Sequence, residues 1–343
     1  MTEIRDPDLI EWVEKARINR IGYEIIVGLA TNEQAQRDAR SQMTPVQRRR
    51  DIARRSVENV ALSDDDRNYI HSVLALCGLP YRNPGDGVQK YQRDYNRNSL
   101  VVQAGVLKHP ETGEMQDQGI PYGPKARLLL LYLCTSAVKQ KSPIIEIPDS
   151  LSAFIRDMGF SVTGGPKGTL SQFKEQLNRL AGCTLHLGLW DGHHAKTIKQ
   201  APIDTFEVWL PKDPNQQVLW PTTIELSDKF YNSLREHALP VDVRAVRAFA
   251  NSARKLDIVF WLGHRLRTVK KMTVVPWDAI LEQFGTNGAN RRRTKQNIIE
   301  DISDIKDVYD SLPVEIVEAG FRLHPTEPDR WLVPPKRKIG KFK

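Results

Sequence analysis

Arg291, Arg292 and Arg293 stand together late in the chain, followed closely by Lys295, Gln296 and Asn297. Guanidinium groups fork onto phosphate or guanine edges, and carboxamides can do the same for adenine, so the run has the chemistry of nucleic-acid recognition. On a helix whose buried stripe is Ile298, Ile302, Ile305 and Tyr309, about 100° per residue turns Arg292, Arg293, Gln296, Asn297 and Glu300 outward. The cations then fall at the amino end, where free backbone N–H groups already favour phosphate. Glu300 and Asp301 lie further along, so only the first turns would approach a polyanion. A solvated charged turn is the plain alternative for the three arginines.

Further basic residues could supply sequence-independent contacts to phosphate. Between Val241 and Lys271 these are Arg244, Arg247, Arg254, Lys255, Arg265, Arg267, Lys270 and Lys271, opposed only by Asp242 and Asp257. Such density suits phosphate positioning, with Lys270, Lys271 and Lys295 as the chosen contacts. The tail PPKRKIGKFK adds Lys336, Arg337, Lys338, Lys341 and Lys343, which suit phosphate or solubility alike. An earlier helix turns Ser171, Gln172, Glu175, Gln176 and Arg179 outward, flanked by Lys167 and Lys174. That face is polar, and suits a weaker DNA contact or a protein contact equally.

Catalytic patterns are missing. SVTGGPKGT has Gly164, Gly165 and Gly168 before a helix, but Lys167 precedes the last glycine, whereas a phosphate loop needs GK followed by Ser or Thr. Cys183, His186, His193 and His194 fall on an expected strand and loop where alternate residues face opposite ways, which disfavours a zinc site. His193 and His194 also lack the intervening residue of a two-histidine nicking motif, so Tyr91, Tyr95 and Tyr122 are given no nucleophilic role. No metal, no cofactor and no enzymatic activity are expected.

The elements that would carry these residues read as mainly helical α+β. The chain has 343 residues, 40% hydrophobic, with 50 Lys plus Arg against 42 Asp plus Glu, a formal +8. That length suits about two domains, and the charge favours acidic partners. The three cysteines are isolated and the N-terminus is charged throughout, so a reducing cytoplasm and no membrane are expected. Residues 1–98 read as a charged helical region. Thr44-Pro45 starts an Arg-rich helix, Ser63 with Asp64–Asp66 a second that Gly78 and Pro80 stop, and Tyr81–Asn98 is a linker.

From residue 99 to 218 the order is hairpin, buried helix (Leu128–Cys134 apolar on all faces), short strand, helix capped by Ser150, turn and helix. Two extended segments then flank the polar connection DGHHAKTIKQAPIDT. This is a winged-helix order, with the third helix as groove reader and the connection as wing. After PKDPNQQVLWPTT, with the boundary near Leu219, residues 219–334 repeat it, the helix from Asn290 being the second reader and 335–343 a basic tail. Tandem winged-helix domains are therefore expected.

GIPYGPKARLLLLYLCTSAV, SLSAFIRDMG and GGPKGTLSQFKEQLNRLAGC resemble the plasmid-encoded RepA-type replication initiator family. The shared pattern is a Pro-Tyr-Gly lead-in, an Ala-Arg-Leu helix, a Ser-Leu helix ending at Met-Gly, a Gly-Gly-x-x-Gly turn and a Gln-Leu-x-Arg-Leu helix. The resemblance spans about residues 100–310. It implies binding to repeated double-stranded sequences at a plasmid origin, origin opening, and recruitment of host helicase and other replication proteins; a homodimer is a separate expectation that the resemblance does not supply. A winged-helix transcriptional regulator acting on an operator is the alternative, because the same helices serve both.

Overall fold

The computed structural model describes residues 4–19, 22–59, 63, 66–85, 87–95, 97–110, 112–146, 151–165, 167–190, 192–206, 223–285 and 290–326. Among them no helix is long and apolar enough to cross a membrane. The fold is mixed α+β, and the contacts divide it into Met1–Ile52 and Ala53–Lys343. The first unit holds α1 (Pro7–Asn19) and α2 (Tyr23–Gln42), with Leu9, Ala16 and Ala30 buried. Gln34 Oε1 accepts from the backbone N–H groups of Arg5 and Asp6 ahead of α1. α3 (Pro45–Asn59) starts at Thr44-Pro45 as expected, and Gln47 adds a reciprocal bond, the Thr44 N–H donating to Gln47 Oε1 at 2.9 Å.

In the second unit β1 (Arg67–His71) leads into α4 (Ser72–Leu76). The helix expected after Ser63 is thus corrected: Asp64 and Asp65 lie outside the described residues, and beyond Asp66 the chain pairs as a strand with 238–242. Tertiary pairing overrides the local acidic signal. The expected linker 81–98 contains β2 (Lys90–Tyr95), which pairs with β3 (Asn98–Gln103). A small hairpin, β4 (Val106–Lys108) and β5 (Met115–Asp117), precedes α5 (Gly123–Gln140), whose Leu128–Leu131 are all buried.

Next come β6 (Ile144–Glu146), α6 (Leu151–Asp157), α7 (Thr169–Gly182), β7 (Thr184–Trp190), β8 (Ala195–Gln200), β9 (Ile203–Phe206) and β10 (Thr223–Leu226). The polar connection read as a wing is corrected here. Ala195–Gln200 within it form β8, which pairs with β7 in a four-stranded sheet ordered β2-β3-β7-β8, and its last residues begin β9. A separate sheet runs β6-β10-β9, so residues 223–226 close the first half's sheet, and the boundary near Leu219 lies in 207–222, outside the described residues.

The chain continues through α8 (Asp228–His237), β11 (Ala238–Asp242), α9 (Val243–Phe249), α10 (Ala253–Leu266), β12 (Thr273–Pro276), α11 (Trp277–Phe284), α12 (Arg291–Lys306), β13 (Val314–Val317) and β14 (Gly320–Leu323). β12, β14 and β13 form the third sheet, in that order. Each half therefore runs helix, strand, helix, helix before its closing strands, and each small sheet sets the last strand between the other two. The Ser150 cap, the extended piece RWLVP and the tail lie outside the described residues.

The first helices of the two halves meet at a buried ion pair. Arg127 on α5 donates to Asp257 on α10 through Nε to Oδ1 at 2.6 Å and Nη2 to Oδ2 at 2.8 Å. Its other N–H groups reach the carbonyls of Leu79, Pro80 and Gly123, so all five guanidinium donors are used. Gly78 is required by this approach, because a Cβ there would sit 2.2 Å from Asp257 Oδ2. Arg93 adds a second tie, donating to the carbonyls of Gln283 and Gly285 at the end of α11. Asp257→Ala strands a buried guanidinium and should cost about 3–5 kcal/mol in denaturant unfolding; a loss below about 1 kcal/mol would show that the pair does not hold the halves.

Candidate nucleic-acid interface

α12 packs as its apolar spacing requires. Ile298, Ile302, Ile305 and Tyr309 are buried, together with Thr294 and Asp301. Asn290 caps the helix, its Oδ1 accepting from the Arg293 N–H at 3.0 Å. Arg291, Arg292, Arg293 and Gln296 are exposed, while Lys295 and Asn297 are half-buried.

Pairing separates these residues further. Arg291 bridges to Asp278 on α11. Lys295 Nζ lies 4.4 Å from the centre of the Trp277 ring, and Gln296 Nε2 donates to Glu300 at 3.0 Å. Among the described residues no ion pair engages Arg292 or Arg293. Two of the acids of α12 are turned toward α10, Arg254 pairing with Asp301 and Lys255 with Asp301 and Asp304, while Glu300 stays exposed beside Gln296. The helix thus neutralises its middle internally and keeps its positive end outward.

This arrangement corrects the reading of the basic run 244–255 as phosphate contacts. Arg244 is buried, with Nε and Nη2 on the Asp242 carboxylate, and Arg247 pairs with Asp157 at 2.7 Å. Arg254 and Lys255 hold α12. Lys270 and Lys271 remain exposed in the turn between α10 and β12.

On α7 the expected outward face is split. Gln176 and Arg179 are buried. Gln176 Oε1 accepts from the Tyr122 N–H at 2.8 Å, and Arg179 Nη1 donates to the Ile120 carbonyl at 3.1 Å with its guanidinium over the Tyr122 ring. Both therefore hold the lead-in to α5. Gly119, against which a Cβ would meet Arg179 Nη1 at 2.2 Å, is the sequence signal that could have exposed this role.

Lys167 and Gln172 are exposed and Ser171 and Lys174 half-buried at the amino end of α7. Ser171 Oγ donates to the Gly165 carbonyl at 2.6 Å and Gln172 Nε2 to the Lys167 carbonyl at 2.9 Å, so both close the glycine turn. That turn adopts its own hydrogen bonds, with Gly165 at positive φ and Thr163 Oγ1 accepting from the Thr169 N–H. It is a turn into a helix, as its sequence order indicated. Among the described residues no group of three or more His, Cys, Asp or Glu could hold a metal ion, and Cys183 is buried.

Residues 120–279 match the family described as plasmid encoded RepA protein. The match spans under half of the 343-residue chain and supports a RepA-type replication initiator family over that span. The match begins at Ile120, which Arg179 grips, and ends at Ala279 in α11, so α12 and its arginines lie beyond it. Two crystal structures are similar: RctB domains 2–3, at TM-score 0.44 and 11% identity over 68% of this chain and 82% of that chain, and the selenomethionine derivatives of RctB domains 2 and 3, at 0.43 and 10% over 68% and 85%. No curated protein matches. Asn290→Ala should lower stability by about 1 kcal/mol in denaturant unfolding, with Asn290→Ser near neutral; equal midpoints for wild type and Asn290→Ala would remove the cap from the account of α12.

Proposed function

We propose that the protein is a cytoplasmic replication initiator that reads repeated double-stranded sequences at a plasmid origin through two winged-helix halves, and makes or breaks no covalent bond. The reading helices are α12 and α7, and β13–β14 supplies the second wing. Support for the winged-helix reading is the shared element order, with each closing strand set between its partners. The family match supports the initiator role.

The observation that carries DNA reading is the capped end of α12, where Arg292 and Arg293 are exposed while Asp301 and Asp304 are held by α10. Free N–H groups and the helix dipole favour phosphate at that end, and Arg can fork onto guanine O6 and N7. Gln296 and Asn297 are the proposed carboxamide readers, Gln296 first exchanging Glu300 for a base edge. Arg291, Lys295, Lys270 and Lys271 serve phosphate, as do Lys167 and Lys174, with Ser171 and Gln172 beside them. Arg179 is withdrawn from this set by its burial.

Several copies on adjacent repeats would strain a neighbouring AT-rich stretch, whose opened strands admit host helicase and polymerase. Pairing of two copies on repeats belongs to the same proposal.

The test of function is replication of a cloned origin fragment when the gene is supplied in trans. Failure despite stable, duplex-binding protein would favour an operator-binding regulator. For the site, Arg292→Ala or Arg293→Ala should each cost about 1–3 kcal/mol on the cognate duplex and relax its sequence preference. Lys270→Ala or Lys271→Ala should weaken all duplexes alike and reduce the salt slope by about 1. Unchanged affinity and selectivity in both arginine variants would move the reader elsewhere.

A further inference from the structure

The sheet β2-β3-β7-β8 buries one face through Leu100, Val102, Leu185 and Leu187 and leaves the other open. On the open face Lys199 stands directly across from His186, and Lys90 occupies the next row on the outer strand. Along β7 from His186, Gly188 faces Ser99, where a Cβ would touch the serine Cβ at 3.1 Å, and Trp190 follows, 56% exposed. His186 and Trp190 share this face about 13 Å apart at 3.3–3.4 Å per residue. Between them the surface is low. Among the described residues His186 Nε2 has no hydrogen-bond partner.

We propose that this face binds single-stranded DNA, with Trp190 and His186 as stacking rings and Lys90 and Lys199 as phosphate contacts. Every base has a π-face, so an aromatic on an open sheet with cations beside it holds a single strand without reading its sequence. The charge is complementary: partial burial, then Lys199 and Lys90, depress the proton affinity of His186, with no carboxylate opposing them. The face's carboxylate among the described residues, Asp94, is held by Gln92 Nε2 at 3.1 Å.

Breadth argues against a duplex here. Four strands at 4.7–4.9 Å spacing span about 14 Å, wider than the roughly 12 Å major groove. The choice of DNA over RNA rests on the proposed origin function; the stacking platform does not. The face shares no residue with α12 or α7.

Fluorescence anisotropy of the full chain with a labelled oligothymidine of about 16 nucleotides tests the proposal. Wild type should bind, Trp190→Ala should weaken binding by about 5- to 150-fold, and Trp190→Phe should stay within about threefold of wild type. Lys199→Glu should also weaken binding and flatten its salt dependence. The same variants should keep cognate duplex affinity, while Arg292→Ala loses the duplex and keeps oligothymidine. Duplex loss with intact oligothymidine binding in wild type would sink the duplex-reading proposal and leave this one standing. The inference is overturned by absent oligothymidine binding, by affinity indifferent to Trp190→Ala and Lys199→Glu, or by tighter binding to oligouridine or an acidic peptide through the same residues.

Discussion

The pairing of Arg127 with Asp257 is the constraint on which the geometry of the second unit depends. Two charges removed from water are a net cost unless the geometry is good and the remaining donors are satisfied, and here every guanidinium N–H has an acceptor. The pair joins the leading helix of one half to the leading helix of the other. Gln283 Nε2 donates to the Leu76 carbonyl nearby, and Arg93 grips the carbonyls that end α11, so the second half is held by groups from α4, β2 and α5. Rigid elements place functional groups more accurately than loops do. Under the proposed function, α7 and α12 carried on such a joint would present their amino ends at a fixed separation, which would set the register that a repeated duplex must match.

Under the proposed function, the same economy of charge would let a protein with many cations read rather than merely adhere. Arg127, Arg179, Arg244, Arg254 and Lys255 are bound to carboxylates or carbonyls and hold the fold. Arg292, Arg293, Lys270 and Lys271 remain at the surface. Nonspecific attraction scales with the number of phosphates neutralised, so tying up these five cations in the fold limits that background while Arg292 and Arg293 stay at the surface. Asp301 and Asp304 contribute by pairing with α10, where they fasten the helix without screening its tip.

Much of the helical layout was legible because burial repeats at helical spacing: Ile298, Ile302, Ile305 and Tyr309 predict the inner face of α12, and Leu128–Leu131 the buried run of α5. The outward arginines followed from that same stripe. What escaped was set by partners distant in sequence. Arg67–His71 becomes a strand only because Ala238–Asp242 lies beside it, and Tyr81–Asn98 holds an edge strand only because β3 is paired on its other side to β7. Gln176 and Arg179 looked like surface groups because their acceptors and donors, at Ile120 and Tyr122, come from a loop more than fifty residues earlier. A polar helical face and a face that grips a loop have the same composition.

The central claim, that the amino end of α12 lies against duplex DNA, is tested most directly by radical cleavage from a tethered iron chelate. The chelate is placed on Arg291→Cys at the start of the helix and, separately, on Asp307→Cys just past its end. The account predicts strong cuts confined to a few base pairs within each origin repeat from position 291, and little cleavage from position 307. Equal cutting from both positions, or none above free reagent from position 291, would contradict it.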